Sequence, residues 1–268
     1  MRRACFWLAV VAAVTFAAGP FLWQVVTSVR PEDELLRLGL PRTLSLDSYR
    51  SAFEGRPLGR VLLNSWLVAG ATTVLCLTVG SLAAFAIAKL EFRGRKPLLV
   101  AALAVSMFPP IATVSPLYLT VRSLGLRDEP GGLVLAYTTF ALPLALWVLT
   151  GFFREVPDEL FESARIDGCT PVQALFKIFL PLALPGLATT GILVFIFAYN
   201  EFLYALTFTS SPEKRTIPVA ISLLASEHKE PWGEMAAVSV MAVLPIVAAA
   251  IVFQRHIVSG LTRGAVKG

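Results

Sequence analysis

The chain reads as an all-α, polytopic membrane protein with six transmembrane helices, and three observations predict this. Hydrophobic residues make up 56% of its 268 residues and charged residues only 15%. An ordinary soluble domain carries about 25% charged residues. The mean hydropathy is +0.72. Six apolar stretches approach or exceed the ~20 residues that a helix needs to cross a bilayer. Lys and Arg fall in the short segments between those stretches, where membrane proteins commonly carry them. The net charge of +5 and the pI near 9.3 therefore belong to membrane loops and do not signal nucleic acid.

The first span covers residues 4–29. Arg2 and Arg3 ahead of an apolar run also look like a secretory signal. A signal's apolar region is only about 7–15 residues long. This run continues through Phe21, Leu22 and Trp23, so it reads as a retained span. With the polar loop that follows, it makes a first unit over 1–60. The other five spans form a core unit over 61–268, at 61–88, 98–121, 133–153, 182–208 and 235–252. Pro20, Pro109, Pro110, Pro116, Pro143, Pro185 and Pro245 lie inside spans. Proline removes a helix hydrogen bond and kinks the helix, which membrane helices tolerate. Such kinks either shape a translocation path or are ordinary membrane-helix prolines. Pro109, Pro110 and Pro116 together predict a third span broken into segments.

An even number of spans puts both termini on one side. The loop 89–97 and the polar segment 154–181 share that side. The basic residues divide almost evenly between the two sides, because the loop 30–60 holds six arginines. The loop 89–97 is the shorter and denser signal, with Lys89, Arg93, Arg95 and Lys96. The positive-inside rule then places it, and both termini, in the cytoplasm.

The segment 154–181 predicts two short helices at an angle. Pro157 suits a first helical turn, and Asp158 and Glu159 complement the positive helix start. The helix runs through Leu160, Phe161, Ala164 and Arg165 to Gly168, which fits the left-handed position past a helix end. Thr170 caps the next helix, Pro171 takes its first position, and Gln173 completes a capping box. Val172, Leu175, Phe176 and Phe179 form an apolar stripe. An amphipathic elbow on the lipid headgroups and a docking knob for a soluble protein both fit these signals.

Elsewhere the chain offers little chemistry. Cys5, Cys76 and Cys169 are unclustered and make neither a disulfide framework nor a metal spacing. His228 and His256 stand apart. No catalytic constellation is expected, and no metal site. No Gly-x-x-x-x-Gly-Lys-Ser/Thr loop is present, so energy for any pumping must come from a partner. Glu201 is the acidic residue set well inside a span. Buried charge in a membrane is costly and usually faces a cavity or partner. Tyr199, Asn200 and Glu201 are thus candidates for a translocation path, against the simpler reading that Glu201 is wetted at a span end.

The residues from 162 onward carry a resemblance. Glu162-Ser163-Ala164 is followed by three residues, Gly168, nine residues, and Ile178-Phe179-Leu180-Pro181. This resembles the EAA loop of permease subunits in bacterial ABC importers, with Ser163 where alanine is usual. Serine is small, so weaker packing is the most that this departure implies. The tail from Gly260 to Gly268, the run Phe197-Ala198-Tyr199-Asn200-Glu201-Phe202, Met107-Phe108-Pro109-Pro110 and Pro116-Leu117-Tyr118 are similar to carbohydrate-importer permeases of the maltose type, most closely the smaller permease subunit.

The resemblance implies a type I ABC importer permease fold with a cytoplasmic coupling-helix loop. Glu162, Ser163, Ala164, Asp167, Gly168, Ile178, Leu180 and Pro181 would couple it to an ATPase. The implied partners are a second permease subunit in a heterodimer, two cytoplasmic ATP-binding subunits and an extracytoplasmic sugar-binding protein. The loop 209–234 would meet the binding protein. The chain itself is expected to bind no cofactor; ATP and Mg would sit on the ATPase. The implied location is the bacterial inner membrane, and the implied cargo a di- or oligosaccharide such as trehalose or maltose. Polyols and glycerol phosphates fit nearly as well. An ion-coupled secondary carrier is the alternative, but such carriers commonly show two related halves and several intramembrane charges. A membrane-embedded enzyme would need clustered His, Asp or Glu at a membrane face.

Overall fold

A computed structural model describes residues 2–35, 37, 39–225 and 231–263. His228, the side chain of His256 and the tail from residue 264 lie outside the described residues. The segment 226–230 of the loop expected to meet a binding protein also lies outside them.

Helix α1, Arg2–Ser28, runs along the last helix and leaves most of its side chains exposed. That suits a helix whose solvent is lipid. The loop after it folds around Arg30, whose buried guanidinium donates to the carbonyls of Glu34, Arg37 and Gly39. A buried cation is tolerable only with such partners. Helix α2, Asp47–Phe53, closes the loop, and Tyr49 Oη meets Ser28 Oγ at 2.8 Å.

The centre is a pair of long helices, α3, Leu58–Lys89, and α6, Pro130–Glu155, packed side by side for most of their length. Between them in sequence come α4, Arg95–Ser106, and α5, Pro110–Ser123, bent by 98° at the break. The break falls at the Pro109-Pro110 pair alone. Pro110 starts α5, where a missing N–H costs nothing, whereas Pro116 stays inside α5 without dividing it.

Helix α7, Asp158–Ile166, is followed by α8, Pro171–Ala174, a π turn over Leu175–Phe179 and α9, Leu180–Leu182. The chain then turns by 82° into α10, Leu184–Tyr199. The expected single span at 182–208 is corrected here. It starts later and breaks after Tyr199, and α11, Leu203–Phe208, continues separately. The polar pair Asn200-Glu201 interrupts the apolar run, and Glu201 supplies a carboxylate to the new helix start. A short α12, Ile217–Ser222, and a long α13, Trp232–Arg263, complete the chain.

Cys5–Ser28, Leu58–Lys89 and Pro130–Glu155 are each long and apolar enough to cross a membrane. Two further apolar stretches are the bent pairs, and Trp232–Ala248 is a shorter apolar helical stretch. Two apolar cores hold the bundle. One, around Tyr137, Phe140, Tyr199, Tyr204 and Phe208, joins α3, α5, α6, α10 and α11. The other, around Phe85, Phe153, Phe161 and Phe179, sits where α3 and α6 end and α7 begins.

Candidate functional site

The segment 154–181 is built from two local signals laid end to end. Val156 and Pro157 are extended, so α6 stops and α7 starts in a new direction. Pro157 is the residue before the helix, one position earlier than expected, and Asp158 and Glu159 fill the first turn. At the other end Asp167 caps α7 and Gly168 adopts φ +82°. The N–H of Gly168 donates to Arg165 at 3.1 Å and that of Cys169 to Ala164 at 2.9 Å. This bond pair is a Schellman motif, which needs the left-handed residue that glycine supplies. One residue later the capping box closes. Gln173 N donates to Thr170 Oγ1 at 3.2 Å, and Thr170 N donates to Gln173 Oε1 at 2.9 Å. The helix widens into a π turn just ahead of Pro181, which offers no N–H to the carbonyl of Lys177.

The two helices are anchored on one face and bare on the other. Phe161, Ala164, Ala174, Leu175 and Phe179 are buried in the aromatic core. Phe179 meets Phe85 with ring centroids 5.0 Å apart, and Phe161 meets Phe85 at 5.7 Å. Ile178 and Leu180 pack half-buried against the same core. Glu162, Ser163, Asp167, Gly168 and Pro181 are exposed. Exposed with them are four large apolar side chains, Leu160 at 40%, Ile166 at 86%, Val172 at 56% and Phe176 at 57%. One sequence expectation is corrected: Val172, Leu175, Phe176 and Phe179 do not form one stripe, because Leu175 and Phe179 turn inward and Val172 and Phe176 outward. Ser163 is exposed, within the expectation of weaker packing at most.

Tyr199, Asn200 and Glu201 are neighbours in sequence but stand in three environments. Tyr199 is buried, stacks on Phe195 and donates from its hydroxyl to the Ala242 carbonyl at 3.0 Å. It is a core residue joining α10 to α13, which corrects its expected place on an open path. Asn200 is exposed and donates back to the Ile196 carbonyl at 2.8 Å. The Glu201 carboxylate accepts from Tyr204 N at 3.0 Å and Ala205 N at 3.2 Å. It caps α11, placing negative charge at the positive end of that helix. Among the described residues, no three His, Cys, Asp or Glu side chains converge as a metal site requires.

Residues 76–263 match the family of binding-protein-dependent transport system inner membrane components. The chain belongs to that family. This permease is 44% identical to the trehalose transport system permease protein SugB of Mycobacterium tuberculosis, covering all of this chain and 99% of the relative. It is 40% identical to the trehalose/maltose transport system permease protein MalG of Thermococcus litoralis, over 93% of this chain and 91% of the other. Among solved structures it resembles a chain of a bacterial ABC transporter involved in the import of the acidic polysaccharide alginate. The TM-score there is 0.78 at 22% identity, with 95% and 96% of the two chains covered, a likeness of fold.

Two groups of residues in this permease escaped the sequence reading. Lys89 reads in the sequence as a loop charge, but its side chain is buried and bonded to the 154–181 segment. Asp128 and Asn64 pin the opposite end of the bundle. Asp128, in a left-handed conformation (φ +59°), accepts from Ser210 N at 2.7 Å and from Ser211 Oγ at 2.5 Å. Asn64 donates to the carbonyls of Glu213 at 2.7 Å and Arg215 at 3.1 Å. For Lys89 the available signal was its place at the end of an apolar run; only its partners reveal its burial.

Proposed function

We propose that this permease is one of two membrane chains of an ATP-driven sugar importer of the bacterial inner membrane, and that its segment 154–181 couples it to a separate ATPase. The observation that carries this is the two-faced build of the segment. Its inner face is fixed to an aromatic core at the ends of α3 and α6, while Ile166, Val172 and Phe176 stand bare beside Glu162 and Asp167. Large apolar side chains left exposed on an otherwise polar segment suit a partner surface. In this reading the ATPase cleft takes that tip, with Glu162 facing a basic group.

ATP and its Mg bind the two ATPase subunits, since this chain has no P-loop sequence. Closure of the ATPase pair on ATP moves the coupling segments and switches the spans from inward- to outward-facing. The segment and both termini then lie in the cytoplasm, and an extracytoplasmic binding protein delivers cargo at the other end. The full similarity in length to permeases named for trehalose and maltose supports a di- or oligosaccharide cargo.

Co-purification after solubilisation tests the reading. The native chain should bring down an ATPase and a second permease, and Gly168→Pro or Glu162→Lys should lose the ATPase. A native chain that purifies alone, or variants that keep the ATPase unchanged, would overturn it.

A further inference from the structure

Lys89 ends α3, the helix at the centre of the bundle. Its side chain is only 2% exposed. The ammonium donates to the carbonyl of Val156 at 2.5 Å and to Asp158 Oδ1 at 2.5 Å. It also lies 5.6 Å from the centroid of the Phe179 ring. These partners belong to three parts of the segment that follows α6: the extended residue Val156, the first turn of α7 and the π turn. One helical turn earlier on α3, Phe85 meets Phe153, Phe161 and Phe179 edge to face. The end of α3 therefore holds both short helices at once.

An apolar side chain would satisfy packing alone. Burying an ammonium costs free energy unless each of its donors is used. Here the Asp158 carboxylate, itself 79% exposed, the Val156 carbonyl and the Phe179 ring face use them. The cation also sits at the negative end of the α3 dipole. Such an arrangement favours one geometry of the segment against α3, because three directional partners converge on a single atom.

We propose that Lys89 is a positioning residue for coupling, pinning the segment 154–181 to the end of α3 so that the two move together. The proposal rests on the ATPase-docking reading above. In that reading a push on the exposed tip reaches α3 through Lys89, and α3 passes it to α6 and α10, against which it packs.

Two measurements test it. The first uses the purified permease in lipid nanodiscs with Cys5→Ser. Cys169, packed against the aromatic core, reports how firmly the segment is seated. Loss of the pin in Lys89→Met should speed maleimide modification of Cys169 by about tenfold, with Lys89→Arg much nearer the native rate because it keeps a cation and donors. The second uses the reconstituted complex with its binding protein and trehalose as probe, and reads sugar moved per ATP hydrolysed. That ratio should fall about tenfold in Lys89→Met and recover in Lys89→Arg. Asp158→Asn removes the carboxylate charge but keeps an acceptor oxygen for the ammonium; it should lower the ratio less than Lys89→Met. Unchanged Cys169 reactivity in Lys89→Met, or an unchanged ratio, would overturn the proposal. A native chain without an ATPase partner would instead remove the docking reading, while the Cys169 rates would still decide whether Lys89 holds the segment.

Discussion

The N–H of Cys169 donates to the carbonyl of Ala164 at 2.9 Å, across the turn that Gly168 makes between α7 and α8. A Cβ at Gly168 would meet no atom within 4 Å, so the demand for glycine is purely conformational, set by φ +82°. Gly168→Ala should therefore cost about 1–2 kcal/mol, the price of a left-handed L-residue. Gly168→Asn should cost less, since asparagine visits that region more readily. Thermal unfolding of the purified chain followed by size-exclusion chromatography reads both.

Thr170 and Gln173 make reciprocal bonds at the start of α8. Thr170→Ala removes an acceptor from Gln173 N and should cost about 0.5–2 kcal/mol, with Thr170→Ser close to native. Faster protease cleavage between α7 and α8 in the alanine variant alone is the expected result.

Gly186 lets α10 lie close to α6. A Cβ there would run into the Phe152 ring. Gly186→Ala should destabilise the chain by about 1–3 kcal/mol as α10 is pushed away. The double variant Gly186→Ala with Phe152→Leu should recover part of that loss in a thermal unfolding assay.

Asp128 supplies a pH dependence at the opposite end. Partial burial pushes its carboxyl upward, but the Ser211 hydroxyl, the Ser210 and Ser211 amides and Lys214 outweigh this and hold it below the ordinary carboxylate value. A carboxyl depressed in the folded chain contributes stability that is complete at neutral pH. That contribution is lost as the pH falls below about 4 and through the depressed value. Asp128→Asn keeps a residue that tolerates positive φ but loses the charge. Its unfolding temperature should lie below native at pH 7 and converge on it in acid; a constant gap would show that the carboxylate charge contributes nothing.

Several features were legible because they are local. Gly168 and the Thr170–Gln173 box depend on residues three to five apart, so their spacing alone reveals them. The long apolar helices follow from length and composition. The break at Pro109-Pro110 follows from a missing N–H. Other features were not legible. Tyr199 shares its motif with Asn200 and Glu201, yet its hydroxyl is taken by Ala242, 43 residues away. Val172 and Phe176 part from Leu175 and Phe179 because the aromatic core selects which side of the helix turns inward.

By itself, the sequence determined a helical membrane chain and the turn between its two short polar helices. Each of these rests on hydropathy or on contacts within a helical turn or two. Only the tertiary structure decided that Glu201 caps a helix, that Tyr199 is core, and that Lys89 is a buried anchor and not a loop charge. The partners of Lys89 lie 67 and 69 residues further along the chain. Side chains so far apart in sequence meet only when α3 and α6 pack together, and the free energy of burying a cation is decided by who meets it there.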